Sequence, residues 1–137
     1  MIINSENANR LAIYFFYDKR GIVDRYVPYF LDDLKKNVSE IFIVCNGKLT
    51  PDGKEQLEKY GHVLVRENKG FDVWAYKTAL ESYGWEKLKT YDEVIMLNNT
   101  IMGPVYSFSE TFEKMDGQDL DFWGLTEYFK IKGDPFG

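Results

Sequence analysis

Residues 66–77 read RENKGFDVWAYK and follow the apolar run Val63–Val65. A strand followed by a polar turn and then by a helix pattern is typical of α/β proteins, and Gly70 allows a sharp change of backbone direction in that turn. We expect Asp72 to cap the helix, since its carboxylate can accept the free N–H groups of the first turn. Apolar residues at helical spacing predict the buried face of this helix: Val73, Tyr76, Leu80 and Tyr83.

Further apolar runs on both sides of this turn predict a series of strands. The predicted strands are Leu11–Tyr17, Ile41–Cys45, Val63–Arg66, Val94–Leu97 and a short fifth segment, Asp121–Thr126. Helix patterns lie between them: one over Val27–Leu34, one that begins at Thr50, and one that begins at Ser107, where Glu110 predicts a capping box. Because strands and helices alternate, we expect a three-layer α/β/α sandwich with a mostly parallel sheet.

Length and charge narrow the classes of protein to consider. The 137 residues suffice for one domain, which we place at residues 11–137 after a polar N-terminal segment, residues 1–10. The net charge of −5 disfavours nucleic acid as a partner. No apolar run is long enough to span a membrane, and the single cysteine, Cys45, lies in an apolar strand as a buried thiol would. These features favour a cytoplasmic protein.

In a parallel sheet, ligands bind beyond the carboxyl ends of the strands. The predicted strand ends carry polar groups at Tyr17–Asp18, Asn46–Gly47, Asn68–Asp72 and Asn98–Thr100. Amide side chains both donate and accept hydrogen bonds, as recognition of base edges and sugar hydroxyls requires. Arg66 and Lys69 can neutralise a diphosphate, and Gly70 with the following helix N-terminus can cradle a phosphate. Phosphate-binding loops of the triphosphatase and dinucleotide types are absent from the sequence.

Three ordered motifs resemble the rhamnan synthesis protein F family. They are Glu67–Asp72 with Ala75–Lys77, Leu97–Thr100 with Gly103–Pro104, and Asp121–Thr126. The resemblance extends from Leu11 to Thr126, and the family's sequence continues beyond the end of this chain. We therefore expect the chain to be a piece of a longer protein.

The resemblance implies a glycosyltransferase domain of the GT-A type. Its donor would be a nucleotide-diphosphate sugar, with dTDP-L-rhamnose as the expected compound. The acceptor would be a growing lipid-linked glycan at the cytoplasmic face of the membrane, with membrane contact made by another part of the protein. The product would belong to a rhamnose-rich cell-wall polysaccharide or lipopolysaccharide.

The resemblance also implies roles for particular residues. The expected nucleotide-sugar site comprises Tyr17, Asp18, Asn46, Arg66, Asn68, Gly70, Asp72, Asn98 and Asn99. GT-A enzymes commonly use Mg²⁺ or Mn²⁺ held by carboxylates, and Asn99 stands where the family pattern has an aspartate. Asn99 is the candidate metal ligand, although an amide oxygen is a weaker ligand for a hard cation. Asp121 and Glu127 are the candidates for the general base.

Two other functions fit parts of the sequence. A non-catalytic sugar-nucleotide-binding or scaffolding domain is favoured by Asn99 in place of an aspartate. A flavodoxin-like or receiver-like regulatory domain is disfavoured, because Asn46 ends the second strand where a phosphorylated receiver would have an aspartate.

Overall fold

The computed structural model describes residues 3, 7–100, 103 and 107–124. Their elements, in chain order, are β1 (Arg10–Phe16), α1 (Tyr26–Lys35), β2 (Glu40–Asn46), α2 (Pro51–Glu58), β3 (His62–Arg66), α3 (Phe71–Tyr83), α4 (Trp85–Leu88), β4 (Glu93–Asn98) and α5 (Phe108–Asp116). The alternation that the sequence patterns predict is therefore present.

All four strands of the sheet run parallel, in the order β3-β2-β1-β4. Strand β1 lies between β2 and β4, and Ile13 pairs with Phe42 on one side and with Met96 on the other. The parallel α/β prediction is confirmed.

Helices cover both faces of the sheet. Alternate residues of β1, Ala12 and Tyr14, face a core formed with α1, α2 and α5. Leu11 and Ile13 face the opposite core, where Ala75 and Ala79 of α3 are completely buried. This two-sided burial explains the unbroken apolar character of β1 and confirms the three-layer arrangement.

Helix α3 differs from the prediction at its N-terminus. Gly70 is the N-cap residue and no side chain caps the helix, while Asp72 lies within the first turn and accepts the N–H of Val73 at 2.9 Å. Val73 is 68% exposed, so it does not belong to the buried face. The helix begins one residue before Asp72. The small residues Ala75 and Ala79 pack closely on the sheet and thereby determine which side of the helix is buried.

Two other predicted helix starts are confirmed. Thr50 caps α2 by accepting the Gly53 N–H at 3.0 Å. Ser107 begins α5, but its hydroxyl accepts from Ser109 at 3.3 Å and does not form the predicted capping box with Glu110. Asp33 of α1 instead accepts the first free N–H of α5, from Phe108 at 2.6 Å. A carboxylate from another helix has taken the place of the local cap.

The predicted fifth strand is not formed over residues 121–124, and Leu125 and Thr126 lie outside the described residues. Trp123 packs edge-on against Phe112 and donates its indole N–H to the Glu93 carboxylate at 3.0 Å. Side-chain packing therefore holds this segment, which explains why a strand-like sequence forms no strand. Within the described ranges, no helix is long and apolar enough to cross a bilayer.

Candidate functional site

The chain leaves the carboxyl ends of β2 and β3 toward opposite faces of the sheet, and the edge between these strand ends is the candidate crevice. Strand β2 leads into α2, whose Leu57 packs in one core, whereas β3 leads into α3, whose Ala75 packs in the other. Such divergence between neighbouring parallel strands opens a space for ligands.

A buried amide joins the two strand ends that border this crevice. The Asn46 side chain is completely buried, and its Oδ1 accepts from Arg66 Nη1 at 2.7 Å. Its Nδ2 donates to the carbonyl of Phe71 at 3.3 Å. Arg66 Nη1 also donates to the carbonyl of Lys69 at 3.1 Å. The guanidinium is thus held between the end of β2 and the loop that precedes α3.

That loop turns in the left-handed region of backbone space. Gly70 has φ of 76° and is followed by Phe71 with φ of 55°, which is uncommon for a residue with a side chain. A Cβ added at Gly70 would lie 2.1 Å from Cγ of Trp74, so glycine is required for space as well as for conformation. Phe71 is 84% exposed after this turn.

Tyr17, Gly47 and Asn68 lie close together at the same edge. A Cβ added at Gly47 would lie 3.4 Å from Cβ of Asn68 and 3.8 Å from Cε2 of Tyr17. Tyr17 is 41% exposed. Asn68 is exposed as well, and within the described part of the chain its amide has no hydrogen-bond partner. An aromatic ring and a free amide are thus available to a ligand here.

Asp18 organises the loop between β1 and α1. Its Oδ2 accepts the backbone N–H groups of Arg20 at 2.9 Å and Ile22 at 3.0 Å. The bond from Ile22 is the main cause that lowers the pKa of Asp18, so the carboxyl group is ionised at neutral pH. The Gly21 carbonyl accepts the Thr50 N–H at 2.9 Å, which ties this loop to the end of β2.

Asn99 fastens the end of β4 to the end of β1. Its Oδ1 accepts the Tyr17 N–H at 3.1 Å, and its Nδ2 donates to the Tyr17 carbonyl at 2.9 Å and to the Tyr26 hydroxyl at 3.3 Å. The residue is only 7% exposed. Neighbouring Asn98 bonds locally, through Oδ1, to the N–H of Thr100 at 3.1 Å. The Asn99 amide therefore holds the carboxyl ends of β1 and β4 together.

Tyr76 is a positioning residue that the sequence motifs did not single out for this role. Its hydroxyl donates to the Leu97 carbonyl at 2.8 Å and links α3 to the carboxyl end of β4. Burial raises the pKa of Tyr76 to about 12, so the hydroxyl remains a hydrogen-bond donor at neutral pH. Helical spacing predicts that Tyr76 packs inward, but it does not reveal which carbonyl the hydroxyl meets.

The predicted metal ligand, Asn99, lacks the surroundings that a divalent cation requires. Among the described residues, no group of three or more His, Cys, Asp or Glu side chains is arranged to hold a metal ion. Mg²⁺ and Mn²⁺ prefer several oxygen ligands with negative charge among them. The donor set that the described strand ends present does not fit such an ion.

The candidate bases do not join the strand-end cluster in the part of the chain that is described. Asp121 is exposed and lines a pocket of about 690 Å³ along the outer side of β4. Its segment is anchored through Trp123 to Glu93, at the amino end of β4, while Asn98 and Asn99 follow the carboxyl end. Glu127 lies outside the described residues.

Comparison with known proteins identifies the family. The family model described as rhamnan synthesis protein F matches residues 41–136, which is more than two thirds of the chain. The match includes the ends of β2, β3 and β4 that border the candidate site. No curated protein and no solved structure matches the chain. The chain belongs to the rhamnan synthesis protein F family.

Proposed function

We propose that this chain is the donor-binding part of a glycosyltransferase that acts in rhamnan synthesis. The observation that carries this proposal is the contact between Asn46 and Arg66 at the diverging carboxyl ends of β2 and β3, in a member of a rhamnan-synthesis family. The donor is a nucleotide-diphosphate sugar, with dTDP-L-rhamnose as the first candidate. The acceptor is a lipid-linked glycan, and transfer takes place on the cytoplasmic side of the membrane.

The carboxyl edge of the sheet offers a suitable group for each part of the donor. The exposed Tyr17 ring can stack on the base, and the free amide of Asn68 can pair with the base edge or the ribose. Arg66 lies where a diphosphate can reach it, and Asn98 at the end of β4 is the candidate for the donor sugar. Asp18 and Gly70 shape the loops around the ligand.

Transfer joins an acceptor hydroxyl oxygen to the anomeric carbon while the bond from that carbon to the diphosphate oxygen breaks. The hydroxyl proton passes to a general base, for which Asp121 and Glu127 are the proposed candidates. The leaving diphosphate carries away the electron pair and must be stabilised by positive charge. Rhamnosyl transfer therefore requires the donor crevice and the acceptor side to be brought together.

A non-catalytic sugar-nucleotide-binding domain is the second candidate function. It is favoured by Asn99, which stands where the resemblance implies an aspartate and uses its amide to join β1 and β4. Such a domain would bind the donor without transferring the sugar. A transfer assay with dTDP-L-rhamnose and a lipid-linked acceptor separates the two functions.

Calorimetric titration with dTDP, UDP and GDP tests the proposed binding function. We expect saturable binding of dTDP or UDP, and about tenfold weaker binding by Asn68→Ala, which removes the free amide. Gln118→Ala is the matched control, because it removes an exposed amide near the C-terminal end of α5. Absence of saturable binding for all three nucleotides would contradict the proposal.

A further inference from the structure

Arg66 is held in place at the crevice but retains most of its hydrogen-bonding capacity. Both of its described side-chain bonds come from Nη1, to Asn46 Oδ1 at 2.7 Å and to the Lys69 carbonyl at 3.1 Å. Nε and Nη2 make no hydrogen bond within the described part of the chain. A guanidinium fixed at one nitrogen can present its other N–H groups to a phosphate in a defined orientation.

The partner that holds Arg66 is neutral. Asn46 is a completely buried amide, and among the described residues Arg66 forms no ion pair with a carboxylate. A carboxylate at position 46 would hold the guanidinium equally well but would cancel its charge. An amide fixes the geometry and leaves the positive charge available to an anionic ligand.

A helix N-terminus and a divalent cation are the two common alternatives for binding a diphosphate. The described residues are poorly suited to both. The N-terminus of α3 already has the Asp72 carboxylate in its first turn, and this carboxylate accepts the Val73 N–H. A second anion would be repelled there. The described strand ends do not offer the cluster of carboxylates that a divalent cation needs, and the Asn99 amide is engaged in three hydrogen bonds.

We infer that Arg66 binds the diphosphate of the donor directly, that Asn46 is its positioning residue, and that nucleoside diphosphates bind here without a divalent cation. This inference rests on the proposed function, and it assigns to Arg66 the positive charge that binds the diphosphate. In transfer, Arg66 would stabilise the negative charge that develops on the leaving diphosphate.

Calorimetric titration with dTDP, in EDTA and in Mn²⁺, provides the test. We expect the affinity of the wild-type protein for dTDP to differ by less than about twofold between the two conditions. Loss of one charged contact would change this affinity by about tenfold. Arg66→Gln should weaken binding by about 10- to 100-fold, and Arg66→Lys by less, since lysine keeps the charge but not the planar fork. Lys54→Gln is the matched control, because it removes one positive charge from the exposed outer side of α2.

Asn46→Asp tests the positioning role with a readout that a loss of packing would not give. The carboxylate can still accept from Arg66 Nη1, but it neutralises the guanidinium and no longer donates to the Phe71 carbonyl. We expect about tenfold weaker binding of dTDP with unchanged affinity for thymidine, which carries no phosphate. Equal losses for both ligands would overturn the positioning role of Asn46.

The outcomes separate this inference from the proposed function. Binding of dTDP only in the presence of Mn²⁺, or equal affinities for Arg66→Gln and Lys54→Gln, would overturn the inference and leave the proposed function standing. Absence of binding in both buffers would overturn both. Metal-independent binding that is lost in Arg66→Gln supports both.

Discussion

Asn46 and Asn99 are buried amides, and each connects two separate pieces of chain at the carboxyl edge of the sheet. Asn46 contacts Arg66 and the Phe71 carbonyl, while Asn99 contacts the backbone of Tyr17 and the Tyr26 hydroxyl. An amide does not ionise in the range where proteins are folded. The contacts that position these strand ends therefore do not depend on the titration of a side chain.

We predict that Gly70→Ala destabilises the protein by about 2–4 kcal/mol. The substitution adds the cost of a left-handed backbone for alanine and a steric conflict with Trp74, whose Cγ would lie 2.1 Å from the new Cβ. Urea unfolding measures the change in the free energy of unfolding. Repeating it in a Trp74→Ala background removes part of the conflict and should reduce the cost by about 1 kcal/mol. Equal costs in both backgrounds would show that Trp74 does not fill the space beside Gly70.

We predict that Asn99→Asp lowers the free energy of unfolding by about 2–3 kcal/mol and confers no Mn²⁺-dependent binding of dTDP. The aspartate keeps the acceptor for the Tyr17 N–H but loses both donors, and it sets a charge beside the Tyr17 carbonyl. Asn98→Asp, which retains the bond from Thr100, should cost about 1 kcal/mol or less. A gain of Mn²⁺-dependent affinity in Asn99→Asp would instead show that this position is a metal site that has lost its charge.

Predictions about single residues were correct where the general rule for parallel sheets applies. They were wrong where the local structure depends on particular atomic contacts. The rule for parallel strands predicted that the strand ends at Asn46–Gly47 and Asn68–Asp72 lie near one another, and a Cβ added at Gly47 would lie 3.4 Å from Cβ of Asn68. Asp72 does not cap α3, because the helix starts at Phe71 and the position of the first turn depends on the backbone at Gly70. The spacing of residues in the sequence does not show at which of two adjacent residues the helix begins.

Elements buried on both faces were the easiest to predict from sequence. Strand β1 is observed at Arg10–Phe16 and was predicted at Leu11–Tyr17, because its apolar run reflects burial on both sides. Residues 121–124 also read as strand-like, but Trp123 uses its ring and its N–H for contacts with Phe112 and Glu93. Local pattern does not distinguish a residue that pairs through its backbone from one that packs through its side chain.

Arg10 is one contact that joins β1, β4 and α5. Its side chain is 3% exposed and pairs with Glu93 at 3.1 Å and with Asp116, and its guanidinium carbon lies 4.3 Å from the centre of the Phe112 ring. The sequence shows Arg10 as the last residue of a polar segment. Its burial arises only when the two carboxylates, 83 and 106 residues away in the chain, come together around it.

We predict that Arg10→Met lowers the free energy of unfolding by about 3–5 kcal/mol, because it leaves two carboxylates without their shared cation in a buried place. Chemical denaturation monitored by circular dichroism measures the loss. Lys54→Met is the matched control, since Lys54 and Glu58 form a pair in which both side chains are 54% exposed, and it should change stability by about 0.5 kcal/mol or less. A loss for Arg10→Met as small as that of the control would contradict the buried-pair account.

At the scale of the whole molecule, topology decides where a ligand can bind. The strand order β3-β2-β1-β4 places β2 and β3 side by side, and their following helices lie on opposite faces of the sheet. The alternation of strands and helices predicts the layers, but the order of strands depends on pairings that no local pattern contains. The contact between Asn46 and Arg66 is a consequence of that order.

The most direct test of this account is a titration of the ¹⁵N-labelled protein with dTDP, followed by two-dimensional NMR. We predict chemical-shift changes at the backbone amides of Gly47, Asn68, Lys69 and Gly70, which border the crevice between β2 and β3. The amides of Leu120–Trp123, along the pocket beside β4, should not change. Changes confined to Leu120–Trp123, or no change at saturating dTDP, would contradict the claim that this crevice binds the donor.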